Sequence, residues 1–165
     1  MKLYILRHAI AEERDEARYP NDSLRPLSKQ GQMKMENIAE NLKKLGFGID
    51  LILSSPYARA LETAGIVAKA LGLKKKQLVL TETLTPTGLP KGLITEINKK
   101  YKVDNLMLVG HEPYLSGLIS VLVAGDHSLS IVVKKGGLCR LSIDKLIYDR
   151  CATLEWLAAP AMLAH

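Results

Sequence analysis

The chain has 165 residues, 47% of them hydrophobic and 24% charged, with a formal charge of +6 at neutral pH. That balance suits one soluble globular domain over residues 1–165, long enough to bury a real core. No apolar run approaches the roughly 20 residues of a membrane span, Cys139 and Cys151 form neither a metal spacing nor a disulfide framework, and an aromatic content of 5% offers no base-stacking platform.

The apolar start is too short for a signal peptide and runs straight into Arg7, so the cytoplasm is the expected location. The positive charge favours acidic or phosphorylated partners. The lysines are scattered at 74–76, 99–100 and 134–135, as on a solvated surface. No nucleic-acid or membrane partner is expected, and a monomer is.

Leu3-Tyr4-Ile5-Leu6 reads as a buried strand that breaks into Arg7-His8-Ala9. Glu12 to Ser23 is polar and aperiodic and reads as a loop over that strand end. Ser28 is placed as the N-cap of a first helix with Met35, Ile38, Leu42 and Leu45 as its buried stripe and Gly46 as its stop. Asp50 to Leu53 is a second strand, broken by Ser54-Ser55-Pro56. Ser55 is placed as N-cap and Pro56 as first residue of a second helix that runs to about Leu71 and stops at Gly72. Leu78 to Leu80 is a third strand and Thr85 to Gly88 a loop. Leu93, Ile94, Ile97 and Tyr101 mark a third helix. Leu106 to Val109 is the most apolar strand; it ends in Gly110-His111-Glu112, and Pro113 opens a fourth helix. Ile131 to Val133 and Leu138 to Ile143 read as strands around a turn at Lys134 to Gly137, and Ala152 to Leu157 adds one more. Strands alternating with helices imply a largely parallel sheet covered on both faces.

Three apolar strands thus end in polar clusters: Arg7-His8, Ser54-Ser55 with Arg59, and Gly110-His111-Glu112. In a parallel sheet these ends share one edge, the edge where ligands bind in open α/β folds. Two arginines, two histidines and two helix N-termini there make a cationic pocket for an anion, with an imidazole available for attack. Taken singly, Arg59 also reads as a surface residue on a stripe with Glu62 and Lys69, with Glu62 as a possible i,i+3 partner.

Leu6-Arg7-His8-Ala9, Ser54-Ser55-Pro56 with Arg59, and Gly110-His111-Glu112-Pro113 resemble the histidine phosphatase, or phosphoglycerate mutase-like, superfamily. Ala9 stands where that family usually has glycine. Leu27-Ser28 with Gly31 looks like its first-helix entry, and the similarity runs from Met1 to Ile143. Asn21-Asp22-Ser23-Leu24-Arg25-Pro26-Leu27-Ser28 resembles its small SixA-type phosphohistidine phosphatases. The resemblance implies a three-layer αβα sandwich with a mostly parallel central sheet. It implies His8 as nucleophile, Arg7 and Arg59 as phosphoryl ligands, His111 as a group that stabilises the one transferred, and neither cofactor nor metal; a protonated His111 would add a positive donor. Arg25 would join the substrate-binding rim with Arg14, Arg18 and the Lys134-Lys135 turn.

The larger members carry an acid as Leu-x-Glu; here Leu84-Thr85-Pro86 stands there. The proton donor is left between Asp22, which could equally be a turn residue, Glu82, and none. A weak acid suits a phosphoramidate, whose leaving nitrogen is easily protonated, so the expected partner is a phosphorylated, histidine-containing protein. The alternatives are a small-molecule phosphomonoesterase of the same fold and a non-catalytic phosphate- or phosphopeptide-binding module. His127 and His165 match no motif.

Overall fold

A computed structural model describes residues 1–164. Its sheet has six strands: β1 (Lys2–Arg7), β2 (Leu51–Ser54), β3 (Leu78–Leu80), β4 (Asn105–Gly110), β5 (Leu138–Ile143) and β6 (Ala152–Ala158). They lie in the order β3-β2-β4-β1-β5-β6. The first four neighbours pair in parallel, while β5 runs antiparallel between β1 and β6. Around the sheet pack α1 (Lys29–Lys44), α2 (Ala58–Ala70), α3 (Pro90–Lys100), α4 (Tyr114–Ala124) and the short α5 (Pro160–Leu163).

β1 and β4 are buried on both faces, which is why they read as unbroken apolar runs. Successive side chains point to opposite sides. Leu3, Ile5, Leu106 and Leu108 join Leu93, Ile97, Leu115 and Leu118 of α3 and α4 in one cluster. Tyr4, Leu6, Met107 and Val109 join Met35, Ile38, Ala64 and Val67 of α1 and α2, with Leu163 of α5, in the other. Helix, sheet and helix make the three expected layers.

The parallel register aligns the strand ends. Arg7 stands opposite Gly110, and Ser54 opposite Val109. Beyond the ladders the pairing continues, His8 N donating to Gly110 O at 3.0 Å and Ser55 N to Val109 O at 3.0 Å. Since β5 is antiparallel, its entry turn comes to this same edge, where Gly136 N donates to the carbonyls of Arg7 and His8. The chain leaving β1 is clamped against α1. The Ile10 carbonyl accepts from Ser28 N, and a Cβ at Gly31 would lie 1.9 Å from that oxygen. Only glycine fits there, in the first turn of a helix that Ser28 caps through Gly31 N.

Several element expectations are corrected. Ile131 to Val133 forms no strand, because β1 and β6 already occupy both edges of β5. Leu45 is 70% exposed at the C-cap of α1 instead of in its buried stripe. α2 begins at Ala58 with Tyr57 at the N-cap, and α4 begins at Tyr114 with Pro113 there, so neither Pro56 nor Pro113 is helical. Among the described residues, no helix is long and apolar enough to cross a membrane.

Candidate active site

The carboxyl edge of the parallel strands holds the most unusual group of side chains in the molecule. His8, Arg59 and His111 are 6%, 5% and 2% exposed, in a layer that elsewhere buries aliphatic residues. The imidazole rings of His8 and His111 are 5.2 Å apart, centroid to centroid. Among the described residues, four buried side-chain polar atoms have no hydrogen-bond partner, and three belong here: Arg7 Nε, Arg59 Nε and His111 Nδ1. Buried polar groups are normally satisfied, so orphans gathered at one place mark a binding centre.

His8 is held in one tautomer. Its Nδ1 lies 2.7 Å from the Ala9 carbonyl oxygen. A carbonyl only accepts, so Nδ1 carries the proton and Nε2 keeps its lone pair. Burial pushes the pKa down to about 4, helped by the cations of Arg59, Arg7 and Lys135 and opposed by the Ala9 hydrogen bond. The ring is neutral at physiological pH, as a nucleophile must be.

His111 is anchored by Ser55, with its Nε2 2.8 Å from Ser55 Oγ. Burial, then the neighbouring His8 and Arg59, lower its pKa to about 3. It is therefore neutral in the free site, contrary to the expectation of a protonated donor. Ser55 does not cap α2 in the usual sense; its hydroxyl accepts from Tyr57 N and turns the chain into that helix.

Arg7 and Arg59 supply the charge. Arg7 donates from Nη1 to Val133 O at 2.9 Å. Burial lowers the proton affinity of both guanidiniums, yet arginine stays a cation. Arg59 is not on a surface stripe. The first turn of α2 carries it inward, where Tyr57 stacks within 5.2 Å of its guanidinium carbon. Glu62 does not pair with it; its carboxylate accepts from Leu27 N at 2.8 Å instead.

Both terminal nitrogens of Arg59 donate to Asp22, one to the backbone oxygen and one to Oδ2, each at 3.0 Å. Asp22 Oδ1 accepts from Arg25 Nε at 2.9 Å. Partial burial raises the Asp22 pKa, but Arg25 and Arg59 outweigh it and the net shift is downward. In the free site Asp22 is a carboxylate with no proton to give. Glu82 is exposed on a 3-10 turn, Glu82–Leu84, and its carboxylate bonds none of these groups. At the N-terminus of α4, Glu112 Oε1 already accepts from Ser116 N.

One residue escaped the sequence reading. Thr63 Oγ1 donates to Arg59 O at 2.7 Å and accepts from Ala9 N at 3.0 Å, tying α2 to the turn after His8. Its spacing from Arg59 puts it on the same helix face one turn later, which was a usable signal. The hydrogen bond from Leu27 N to Glu62 had no such signal. No cluster of histidine, cysteine or carboxylate side chains suited to a metal occurs among the described residues.

The architecture and the cluster together bring two guanidiniums and two neutral imidazoles to one edge of the sheet. The model of the histidine phosphatase superfamily, branch 1, matches residues 3–85. An uncharacterised protein of Picosynechococcus is 33% identical over 86% of this chain and 84% of its own. The phosphohistidine phosphatase SixA of Escherichia coli is 32% identical over 76% of each chain. A structure of the protein histidine phosphatase SixA complexed with tungstate superimposes with a TM-score of 0.77 at 24% identity, covering 98% of both chains. The chain belongs to the histidine phosphatase superfamily. Its fold is the phosphoglycerate mutase-like one, and its enzyme class is that of a phosphatase.

Proposed function

We propose that the chain hydrolyses phosphohistidine on a protein, by way of a phosphoryl group carried on His8. What supports this reading above all is the state of His8: neutral, locked with Nδ1–H on the Ala9 carbonyl, which leaves the lone pair on Nε2, with the Arg59 and Arg7 cations acting on the ring. The similarity to SixA supports the substrate.

In the first step His8 Nε2 bonds to phosphorus as the bond from phosphorus to the substrate imidazole breaks. The electron pair leaves with the substrate nitrogen. A substrate ring protonated at its far nitrogen departs as a neutral imidazole, so it draws on no enzyme acid. The His8 ring becomes an imidazolium that keeps its Nδ1 proton on Ala9 O. Water then attacks in line, the P–N bond breaks, and the neutral ring returns. Each displacement exchanges one imidazole or water for another, which fits a site where Asp22 holds no proton. Arg7, Arg59 and the His111 ring surround the equatorial oxygens, where phosphoryl transfer needs charge most. Arg25 stands at the rim, 15% exposed in its side chain.

The test compares turnover of a histidine-phosphotransfer domain phosphorylated with potassium phosphoramidate against common phosphate monoesters. Preference for the phosphoprotein is expected. Faster turnover of a monoester would replace this reading with a small-molecule phosphomonoesterase, and turnover of neither with a binding module.

A further inference from the structure

The contact between Asp22 and Arg59 has a second meaning. Arg59 is buried and charged, and a buried charge without a counter-ion is costly. In the free protein that counter-ion is the Asp22 carboxylate, whose Oδ2 accepts from one terminal nitrogen while the Asp22 backbone oxygen accepts from the other. Arg59 Nε is unpaired, so an oxyanion that grips the guanidinium by two nitrogens must take up one that Asp22 now holds.

The segment carrying Asp22 is built to release them. Its base is fixed by the bridge of Ala11 to Leu27 and by Glu12 N donating to Pro26 O. Its tip is a single 3-10 turn, Asp22–Leu24, that buries no residue, and Leu24 there is 67% exposed. The Asp22 side chain is 36% exposed where that of Arg59 is 6%. Leaving Arg59 costs Asp22 little, since Arg25 still donates to its other oxygen and Arg25 is itself tied back to Glu12 O.

We propose that Asp22 determines which anions the site admits, acting as an internal competitor that a ligand must displace from Arg59. The inference rests on Arg59 being a phosphoryl ligand. Binding is then an exchange, and its strength is a difference between two anions. A carboxylate or another monoanion offers Arg59 nothing that Asp22 does not, and Asp22 has the advantage of being tethered. A dianionic tetrahedral group brings more charge and reaches Arg7 and His111 as well, so it wins the exchange. Asp22 acts here through selectivity and not as a proton donor.

Calorimetric titration with tungstate and with acetate separates the possibilities, using the wild type, Asp22→Asn, Asp22→Ala and Arg59→Ala, each checked by thermal melting. Removing the competing carboxylate, with the backbone contact of residue 22 to Arg59 left in place, is expected to tighten tungstate about fivefold in both Asp22 variants and to make acetate binding measurable. Unchanged or weaker tungstate binding in both folded Asp22 variants would overturn the inference. In that case an unchanged affinity with lower kcat would assign Asp22 to proton transfer, and a weaker one to orienting Arg59. Undiminished tungstate binding in Arg59→Ala would instead remove the reading of the site on which the inference stands.

Discussion

A histidine can act as a nucleophile only while it is unprotonated, and burial beside three cations keeps His8 in that state. The same burial has a thermodynamic consequence. The folded pKa values of His8 and His111 are lowered from 6.5 to about 4 and about 3. Between pH 6.5 and those values the unfolded chain binds protons that the folded chain does not, so stability falls as the pH falls through that window. Thermal melts of His111→Asn against wild type should show a shallower loss between pH 6.5 and about 4. Equal slopes would mean that the two imidazoles are not held neutral. At this scale the sequence disclosed identities but not states. Arg7, His8, Arg59 and His111 could be named from their motifs, whereas the neutrality of His111 and the salt bridge of Asp22 depend on what folding brings beside them.

At the level of elements, the site is an alignment problem, and one side chain links the two elements that matter most. Thr63 joins α2, which carries Arg59, to the turn that follows His8. Thr63→Val keeps the shape and removes both hydrogen bonds, leaving Ala9 N–H buried and unpaired. That should cost about 1–3 kcal/mol of stability and lower kcat/KM, with Thr63→Ser retaining both; chemical denaturation and steady-state kinetics read the two effects. Wild-type kinetics in the valine variant would show that the link is dispensable. Most elements were legible because strands buried on both faces and helices with one apolar stripe leave distinct periods. The segment 131–133 misled because its β-branched residues have a strand's composition, and no local pattern says that the neighbouring sheet edge is already taken. The boundary of α2 shifted for a related reason: Ser55 turns its hydroxyl to Tyr57 N and to His111, a use that only the assembled edge explains.

The whole molecule sets how a substrate arrives and what happens to it. A formal charge of +6, with Lys134 and Lys135 in the turn that backs β1, should draw an anionic phosphoprotein toward the edge, and salt screens that attraction. For the phosphorylated protein kcat/KM should fall severalfold as ionic strength rises, with kcat nearly constant; a salt-independent kcat/KM would contradict a steered encounter. The sheet order brings residues a hundred positions apart to one edge, and the account depends on that edge forming a bond to phosphorus. The most direct test is to mix the protein with a phosphohistidine-bearing domain, quench in base within the first turnovers, and locate the acid-labile phosphate by peptide mapping. The account predicts phosphate on His8 and no turnover in His8→Ala. Label on another residue, or full activity in that variant, would contradict it.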